Sequence, residues 1–353
     1  MALERVILGI ETSCDETAAG VVRGRVVLSN VIASQHELHA EYRGVVPEIA
    51  SRAHAERVLG VVREALRGAG VGLGEVEGVA VGNRPGLIGS LLVGVSAAKG
   101  LAWGLGVPCV GVDHVHAHLF AGCMDEGGGG GGGLPGFPAL GLVVSGGHTS
   151  LYHMESAVRA RRLGGTIDDA IGEAYDKLAN MLGLGFPGGP EVDRLAQRGD
   201  ENAIEFPVSR LSAGSLDFSF SGLKTAALYA LRGVPNARVD LRGVHVPPSA
   251  ADLAASFQRA AVGAVVLKVR RAIAQHPGCR GLLVGGGVSA NSRLRRELVL
   301  LAKQEGLELR LPGVGLCLDN AAMIAGLGHA LLDARGWVGD DLGFPAVPTT
   351  GLV

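Results

Sequence analysis

The sequence predicts an α/β protein made of two similar halves, and three observations predict it. Short apolar, strand-like runs alternate with helical stretches along the chain. Each half opens on the same unit of strand, polar tip and returning strand. In the first half this is RVILGI, ETSCDET and AAGVV, ending at Val22; in the second it is PALGLVV, SGGHTS and LYHM. Between the halves lie seven consecutive glycines, 127–133, which have too much conformational freedom to hold regular structure. The expected organisation is a first lobe over 1–126, a Gly-rich linker over 127–137 and a second lobe over 138–318. A helix at about 319–335 is expected to pack back on the first lobe.

The elements follow from the pattern. Residues 46–67 read as an amphipathic helix with Ile49, Ala53, Val58, Val61, Val62 and Leu66 as its apolar stripe; His54 is expected at its surface or boundary. A strand over 76–82 leads to a turn at Pro85-Gly86, a long apolar helix and a second strand, PCVGV. Residues 161–197 carry Asp168, Asp169, Glu173 and Asp176, expected to form a solvated acidic face, and then a glycine-proline turn at Gly188-Gly189. Ser221-x-x-Lys224 matches a serine-nucleophile spacing, but its companion motifs are absent and a helix-capping serine is the expectation. A long helix over 252–275 ends with Lys268, Arg270 and Arg271, where cations favour the dipole. The strand LLV then runs into Gly285-Gly286-Gly287 and a helix, with Ser289 and Asn291 at its entry. That is a backbone suited to close approach of a nucleotide, although it is neither a dinucleotide fingerprint nor a Walker loop.

Composition excludes several function classes. The 353 residues are 47% hydrophobic and 19% charged with a formal net charge of −2, so no global basic field attracts nucleic acid; such a partner must meet a local patch. Five cysteines without a CxxC pair argue against a disulfide framework and against a cysteine zinc site, and fit a reducing cytosol. The run at MALERVILGIETS is too short for a secretory leader. Lys99 and Pro108 interrupt the apolar stretch 86–112, which reads as a buried helix and strand rather than a membrane span.

The chemistry concentrates in VGVDHVHAHLFAG, 110–122. His114 and His118 stand four apart, so a helix puts both imidazoles on one face, as two ligands of one metal require. A structural histidine pair is the competing reading. Val115 occupies the place where a zinc-protease helix carries its glutamate base, which disfavours a metallopeptidase. Asp319 stands at the start of an apolar helix, where it is either an N-cap or a third, oxygen ligand.

GIETSCDET, GVVPEIASRAH, the HVHAH segment, VSGGHT, TIDDAIGEAYDKLANMLGLGFPGGP, DFSFSGLKTA, GGVSAN and CLDNAAMIA together resemble the TsaD/Kae/Qri/OSGEP family, bacterial branch, from about residue 5 to residue 335. The resemblance implies the actin/Hsp70/sugar-kinase-like (ASKHA) duplicated two-lobe fold, with mixed sheets flanked by helices. It implies transfer of a threonylcarbamoyl group from threonylcarbamoyl-AMP to the exocyclic amine of the adenine 3′ of the anticodon, in tRNAs reading codons that start with A. AMP is released, and ATP or AMP can occupy the site. Carried over by position, His114, His118 and Asp319 match ligands of one divalent metal, iron or zinc. Val144, Ser145, Gly146, Gly147 and His148 match a phosphate-side substrate loop, and Asp176, Gly189, Asp193 and Asn291 match residues that hold the nucleoside. Glu11 is the candidate for a supporting catalytic role. Implied partners are tRNA, a companion TsaB-like subunit, a TsaE-like ATPase and a TsaC/Sua-type enzyme that supplies the adenylate, in the cytoplasm and with no membrane. A phosphotransferase or ATPase of the same fold is the main alternative, but it has no use for the histidine pair; a non-catalytic scaffold has no use for intact ligands. Three features depart from the family pattern: NRPG at 83–86, the glycine run, and the ending FPAVPTTGLV.

Overall fold

β-branched and small residues dominate the strands, and helix signals bound the helices between them. In chain order the first elements are β1 (Val6–Glu11), β2 (Glu16–Arg23), β3 (Val26–Ser34), a short α1 (His36–His39), α2 (Pro47–Ala69), β4 (Gly78–Arg84), α3 (Ile88–Leu105), β5 (Cys109–Asp113) and α4 (His114–Ala121). Then come β6 (Ala139–Val144), β7 (Thr149–Ser156), β8 (Arg159–Gly165), α5 (Ile171–Met181), α6 (Gly188–Ala196) and α7 (Ser221–Arg232). The last are α8 (Ala250–Gln275), β9 (Gly281–Gly285), α9 (Ser292–Glu305), β10 (Glu308–Arg310) and α10 (Ala321–Ala334). The computed structural model describes residues 4–42, 44–127, 133–209, 211–233 and 248–352; most of the glycine run, 128–132, lies outside them.

The chain divides into two units. One comprises Met1–Phe137, Met154–Arg161 and Arg310–Val353, and the other Pro138–His153 and Arg162–Leu309. Their sheets share one strand order: β3-β2-β1-β4-β5 in the first and β8-β7-β6-β9-β10 in the second. In the first sheet β1 pairs antiparallel with β2 and parallel with β4, and β6 repeats the parallel pairing with β9 in the second. The α/β fold with a duplicated strand unit is therefore present. The three strands that the sequence analysis does not single out, β3, β8 and β10, are all edge strands. β8 carries arginines instead of an apolar run, whereas β3 is apolar except at Ser29, Asn30 and Ser34, and Asn30 Oδ1 accepts from Ala322 N–H at 3.3 Å.

In the first unit, strand alternation sorts side chains onto two faces. Leu8, Ile10, Ala19, Val21, Val79 and Val81 pack with Val58, Val61 and Val62 of α2 and Val95 and Ala98 of α3. Ile7, Val22, Ala80, Val110 and Val112 turn the other way, onto Ala117 and Phe120 of α4 and Ile324, Ala325 and Leu327 of α10. Pro47 opens α2 and Gly70, left-handed at φ 66°, closes it. His54 of α2 is not at the surface, contrary to expectation. It is fully buried, with Nδ1 2.8 Å from Thr17 Oγ1 and Nε2 3.0 Å from the Cys14 carbonyl, so it ties the β1–β2 tip to α2. α3 and α8 have the length and hydropathy of a membrane span; α3 packs on α2 and β4, and α8 on α6 and α9.

α10 lies against β1 and β2 because glycines leave room for it. A Cβ on Gly20 would stand 2.6 Å from the backbone nitrogen of Ala322, and Gly9 has the same relation to the Ala321 carbonyl. Neither neighbour can move without lifting the helix. Gly20→Ala is expected to destabilise the protein by about 1–3 kcal/mol, the cost of overpacking a filled contact. A lower urea midpoint at unchanged slope checks this.

Candidate functional site

The strand β5 hands over directly to α4, and Asp113 makes the junction. One of its oxygens, Oδ1, accepts from the N–H of Val115 at 3.0 Å and of His116 at 3.2 Å, satisfying the first turn of the helix. The helix then presents His114 and His118 on one face, with ring centroids 4.6 Å apart and planes at 83°. His116 points away and bonds the Ala157 carbonyl at 3.0 Å.

Asp319 completes the cluster. The sequence leaves open whether it caps α10; it does not, because Asn320 takes that role and accepts from Met323 N–H at 2.9 Å. Asp319 is thereby left free, and its Oδ1 lies 3.1 Å from Nε2 of His118 and 3.4 Å from Nε2 of His114. The imidazoles are 7% and 1% exposed and the carboxylate 28%, so the cluster opens on the Asp319 side only.

Glu11, at the end of β1, is fully buried behind His114, with Oε2 3.0 Å from Nδ1. Its other oxygen accepts from Ser13 N–H at 2.5 Å, and Ser13 Oγ is 3.4 Å from the same Nδ1. Space for the carboxylate comes from Gly82 on β4, where a Cβ would stand 2.5 Å from Glu11 Oε2. Glu11 is thus a carboxylate behind a histidine, the arrangement that fixes a ligand's tautomer.

These contacts test whether a metal fits. Glu11 keeps the His114 proton on Nδ1, which turns the Nε2 lone pair toward Asp319 Oδ1. At 3.4 Å these two atoms are held together by a second proton, on Nε2, or by a metal cation in its place. Burial disfavours a charged His114, but Asp319 and Glu11 outweigh it and hold its pKa well above the ordinary histidine value. Burial keeps His118 below that value. Desolvation works against the ionised form of Asp319, yet His114 and His118 hold it well below the usual carboxylate range. Two carboxylates around two imidazoles carry the charge that a divalent cation balances. The ligating atoms of His114, His118 and Asp319 all lie within 4.8 Å of one another, so one ion can reach all three.

The second unit holds the other candidate residues. Val144 ends β6, and Ser145–His148 form a tight turn in which Ser145 N–H donates to the His148 carbonyl at 2.8 Å and His148 N–H to Ser145 Oγ at 3.1 Å. Gly146 and Gly147 are exposed at its tip with open space around them. Gly286, at φ 92°, packs so closely on the Val144 carbonyl that no side chain fits. Asp176 accepts from Gly188 N–H at 2.7 Å and fixes the turn before Gly189, which faces open space. Asp193 is more occupied than expected of a ligand-binding carboxylate: it accepts from Gln258 Nε2, Ser292 N–H and Ser292 Oγ at 2.7–3.0 Å. Asn291 caps α9 through Leu294 N–H and donates to Gln258 Oε1 at 2.9 Å.

The acidic segment is only in part a solvated face: Asp168 and Glu173 are exposed and Asp169 and Asp176 half-buried, and the acids have fixed partners. Asp168 accepts from Phe220 N–H and from the hydroxyls of Ser219 and Ser221, so it caps α7 in place of the expected serine; these bonds outweigh desolvation and lower its pKa. Asp169 pairs with Lys177 at 2.7 Å and Lys224 at 3.3 Å, which removes the serine–lysine pair from nucleophilic chemistry. Lys268 is buried and donates to the Ser215 carbonyl, which Arg271 also reaches, whereas Arg270 is exposed and pairs with Glu305. Glu11→Gln is expected to weaken binding of Zn²⁺ to the metal-stripped protein by about 10- to 100-fold. Gly82→Ala shifts it in the same direction by displacing the carboxylate; calorimetric titration reads both.

The profile of the family described as TsaD, tRNA N6-adenosine threonylcarbamoyltransferase, matches residues 26–326. A protein of that name from Trichlorobacter lovleyi is 53% identical over 350 residues, covering 98% of this chain and 97% of its own. Its namesake from Symbiobacterium thermophilum is 49% identical, with 99% and 97% covered. Among solved structures, HypF from T. kodakarensis superposes with a TM-score of 0.60 at 16% identity. That match covers 95% of this chain but only 48% of HypF. The activator of 2-hydroxyisocaproyl-CoA dehydratase from Clostridium difficile gives 0.52 at 11% identity, covering 95% and 99%. These two likenesses concern the fold, which is of the actin/Hsp70/sugar-kinase type. The sequence matches, at about half identity over nearly the full length of both chains, go further: this chain belongs to the TsaD family of tRNA N6-adenosine threonylcarbamoyltransferases.

Proposed function

We propose that this chain transfers the threonylcarbamoyl group of threonylcarbamoyl-AMP to the exocyclic amine of the adenine 3′ of the anticodon, in tRNAs reading codons that start with A, with release of AMP. The observation that carries this reading at the level of geometry is the convergence of His114 Nε2 and His118 Nε2 on Asp319 Oδ1. An ATP-dependent phosphotransferase of the same fold has no use for such a set. The donor is already an activated mixed anhydride, so no enzyme nucleophile is required, and the Ser221–Lys224 pair does not offer one: Ser221 is bound to Asp168 and Lys224 to Asp169.

A metal held by His114, His118 and Asp319, iron or zinc, supplies Lewis acidity toward oxygen atoms of the donor. Glu11 holds the proton on His114 Nδ1 and keeps Nε2 free to ligate. It acts as a positioning group, and its complete burial excludes it from proton transfer with solvent. The N–H groups of Gly146 and Gly147, exposed at the tip of a rigid turn, suit phosphate oxygens. Gly189 and Asn291, with Asp176 and Asp193 as supports of their turns, suit the nucleoside. Positioning of an activated donor accounts for much of the rate.

Partners follow from the same reading. The tRNA is the acceptor, and a TsaC/Sua-type enzyme makes the donor in the cytoplasm. Leu59, Leu92 and Trp103 are exposed on α2 and α3, beside a groove lined by Ala55, Val58, Val93 and Ala97. That face suits a companion TsaB-like subunit, with a TsaE-like ATPase acting on the pair. The double variant Leu59→Glu/Leu92→Glu is expected to abolish the complex by size-exclusion chromatography; an unchanged complex removes this face as the interface. The double variant His114→Ala/His118→Ala is expected to lose bound metal and tRNA modification together. Metal analysis and mass spectrometry of tRNA nucleosides, after incubation with threonine, bicarbonate, ATP and the partners, check both. Full transfer by the metal-free double variant contradicts the assigned role.

A further inference from the structure

Two of the family departures in the sequence meet each other. Residues 338–352 form no helix or strand, yet hydrogen bonds pin them across the end of β4 and the length of β5. Asp340 N–H donates to the Cys109 carbonyl at 2.8 Å, and Asp340 Oδ2 accepts from Gly111 N–H at 2.9 Å, so the segment begins on the exposed edge of the sheet. Lys99 of α3 donates to the Phe344 carbonyl at 2.6 Å, with its ammonium 4.4 Å above the Phe344 ring. Asn83, the first residue of NRPG, then grips the segment twice: its Nδ2 donates to the Pro345 carbonyl at 3.0 Å, and its own carbonyl accepts from Val347 N–H at 2.9 Å.

The segment ends on Asp113. Thr350 Oγ1 and Gly351 N–H both donate to Asp113 Oδ2, each at 2.7 Å. The other oxygen of the same carboxylate caps the helix that begins with His114. One side chain therefore joins the segment to the first turn of the helix bearing both imidazoles. A free capping aspartate rotates about its side-chain bonds; this one is held at both oxygens, and the orientation of α4 relative to β5 is held with it.

We propose that residues 338–352 are a strap that positions the metal-ligating helix, acting through Thr350 and Gly351 on Asp113, with Asn83 as its anchor. Asp113 and Thr350 are positioning residues: neither touches the ligand cluster, and both set the geometry of His114. A purely structural role, sealing the edge of β5, is the reading to be separated from this one. The Asp340 contacts already serve that edge, whereas the Thr350 and Gly351 contacts lie past it, on the helix cap. The proposal rests on the metal reading above for its functional consequence, but its mechanical content does not.

The test uses the full chain, stripped of metal, and titrates it with Co²⁺, whose visible spectrum reports ligand geometry. Amide hydrogen exchange at Val115 and His116 is followed in parallel without metal. Thr350→Val removes one hydroxyl at a half-buried position and empties no core, so the variant folds. It is expected to weaken Co²⁺ about fivefold and to speed exchange at both amides by a similar factor, the usual worth of a helix cap. Asn83→Ala acts in the same direction from a residue that touches neither helix nor metal. Thr350→Ser is expected to restore both readouts to within about twofold, because the hydroxyl alone is needed. Parental Co²⁺ affinity in both Thr350→Val and Asn83→Ala overturns the proposal. Weaker Co²⁺ binding without faster exchange overturns the route through Asp113. If the parent protein binds no Co²⁺, the metal reading fails instead, and exchange alone decides whether the strap holds α4.

Discussion

Two imidazole nitrogens face one carboxylate oxygen, with a second carboxylate buried behind them, and much of the first unit exists to hold that arrangement. Without a metal a proton on His114 Nε2 holds the contact with Asp319 Oδ1; a divalent cation in that proton's place uses the same geometry. Each contributor reaches its place because a neighbour releases it or makes room for it. Asn320 caps α10, which releases Asp319. Gly82 gives up a side chain, which admits Glu11. Gly9 and Gly20 let α10 lie directly on β1 and β2, which brings Asp319 to the histidines.

The second unit follows a different logic. Its candidate binding residues are mostly backbone, held out by carboxylates and amides that are themselves fully used. Asp176 holds the Gly188 turn, Asp193 ties α6 to α8 and the start of α9, and Asn291 caps α9 while bonding Gln258. Such a site is preorganised: its N–H groups need no side-chain rearrangement to meet a phosphate or a ribose. The acids that looked like a solvated cluster belong to this scaffold. Asp168 satisfies the entry of α7, 52 residues on, and Asp169 neutralises Lys177, eight residues on, and the more distant Lys224.

Long-range pairing also explains the places where periodicity misleads. His54 stands in register with Val58 and Val61 on the buried face of α2, where a polar ring needs partners, and the β1–β2 tip folds over it and supplies Thr17 and the Cys14 carbonyl. β8 has no apolar alternation because an edge strand is held by backbone bonds on one side and faces water on the other. Ser221 matches a capping pattern locally, but the cap comes from Asp168, 53 residues earlier.

By itself the sequence determined the α/β class, the repeated strand–tip–strand unit, the histidine pair and the family motifs that carry the candidate ligand and nucleotide residues. These are local properties: strand and helix periods, a four-residue spacing and glycine turns are all written in neighbouring residues. Only the tertiary structure decided that Asp319 is a ligand candidate rather than a cap, that Glu11 stands behind His114, and that Asn83 and Thr350 meet the metal helix through one strap. Each of those depends on groups more than a hundred residues apart, apart from the choice between Asp319 and Asn320, which one rotamer settles. No spacing in the chain encodes which of two adjacent polar residues turns inward; packing of α10 against β1 does.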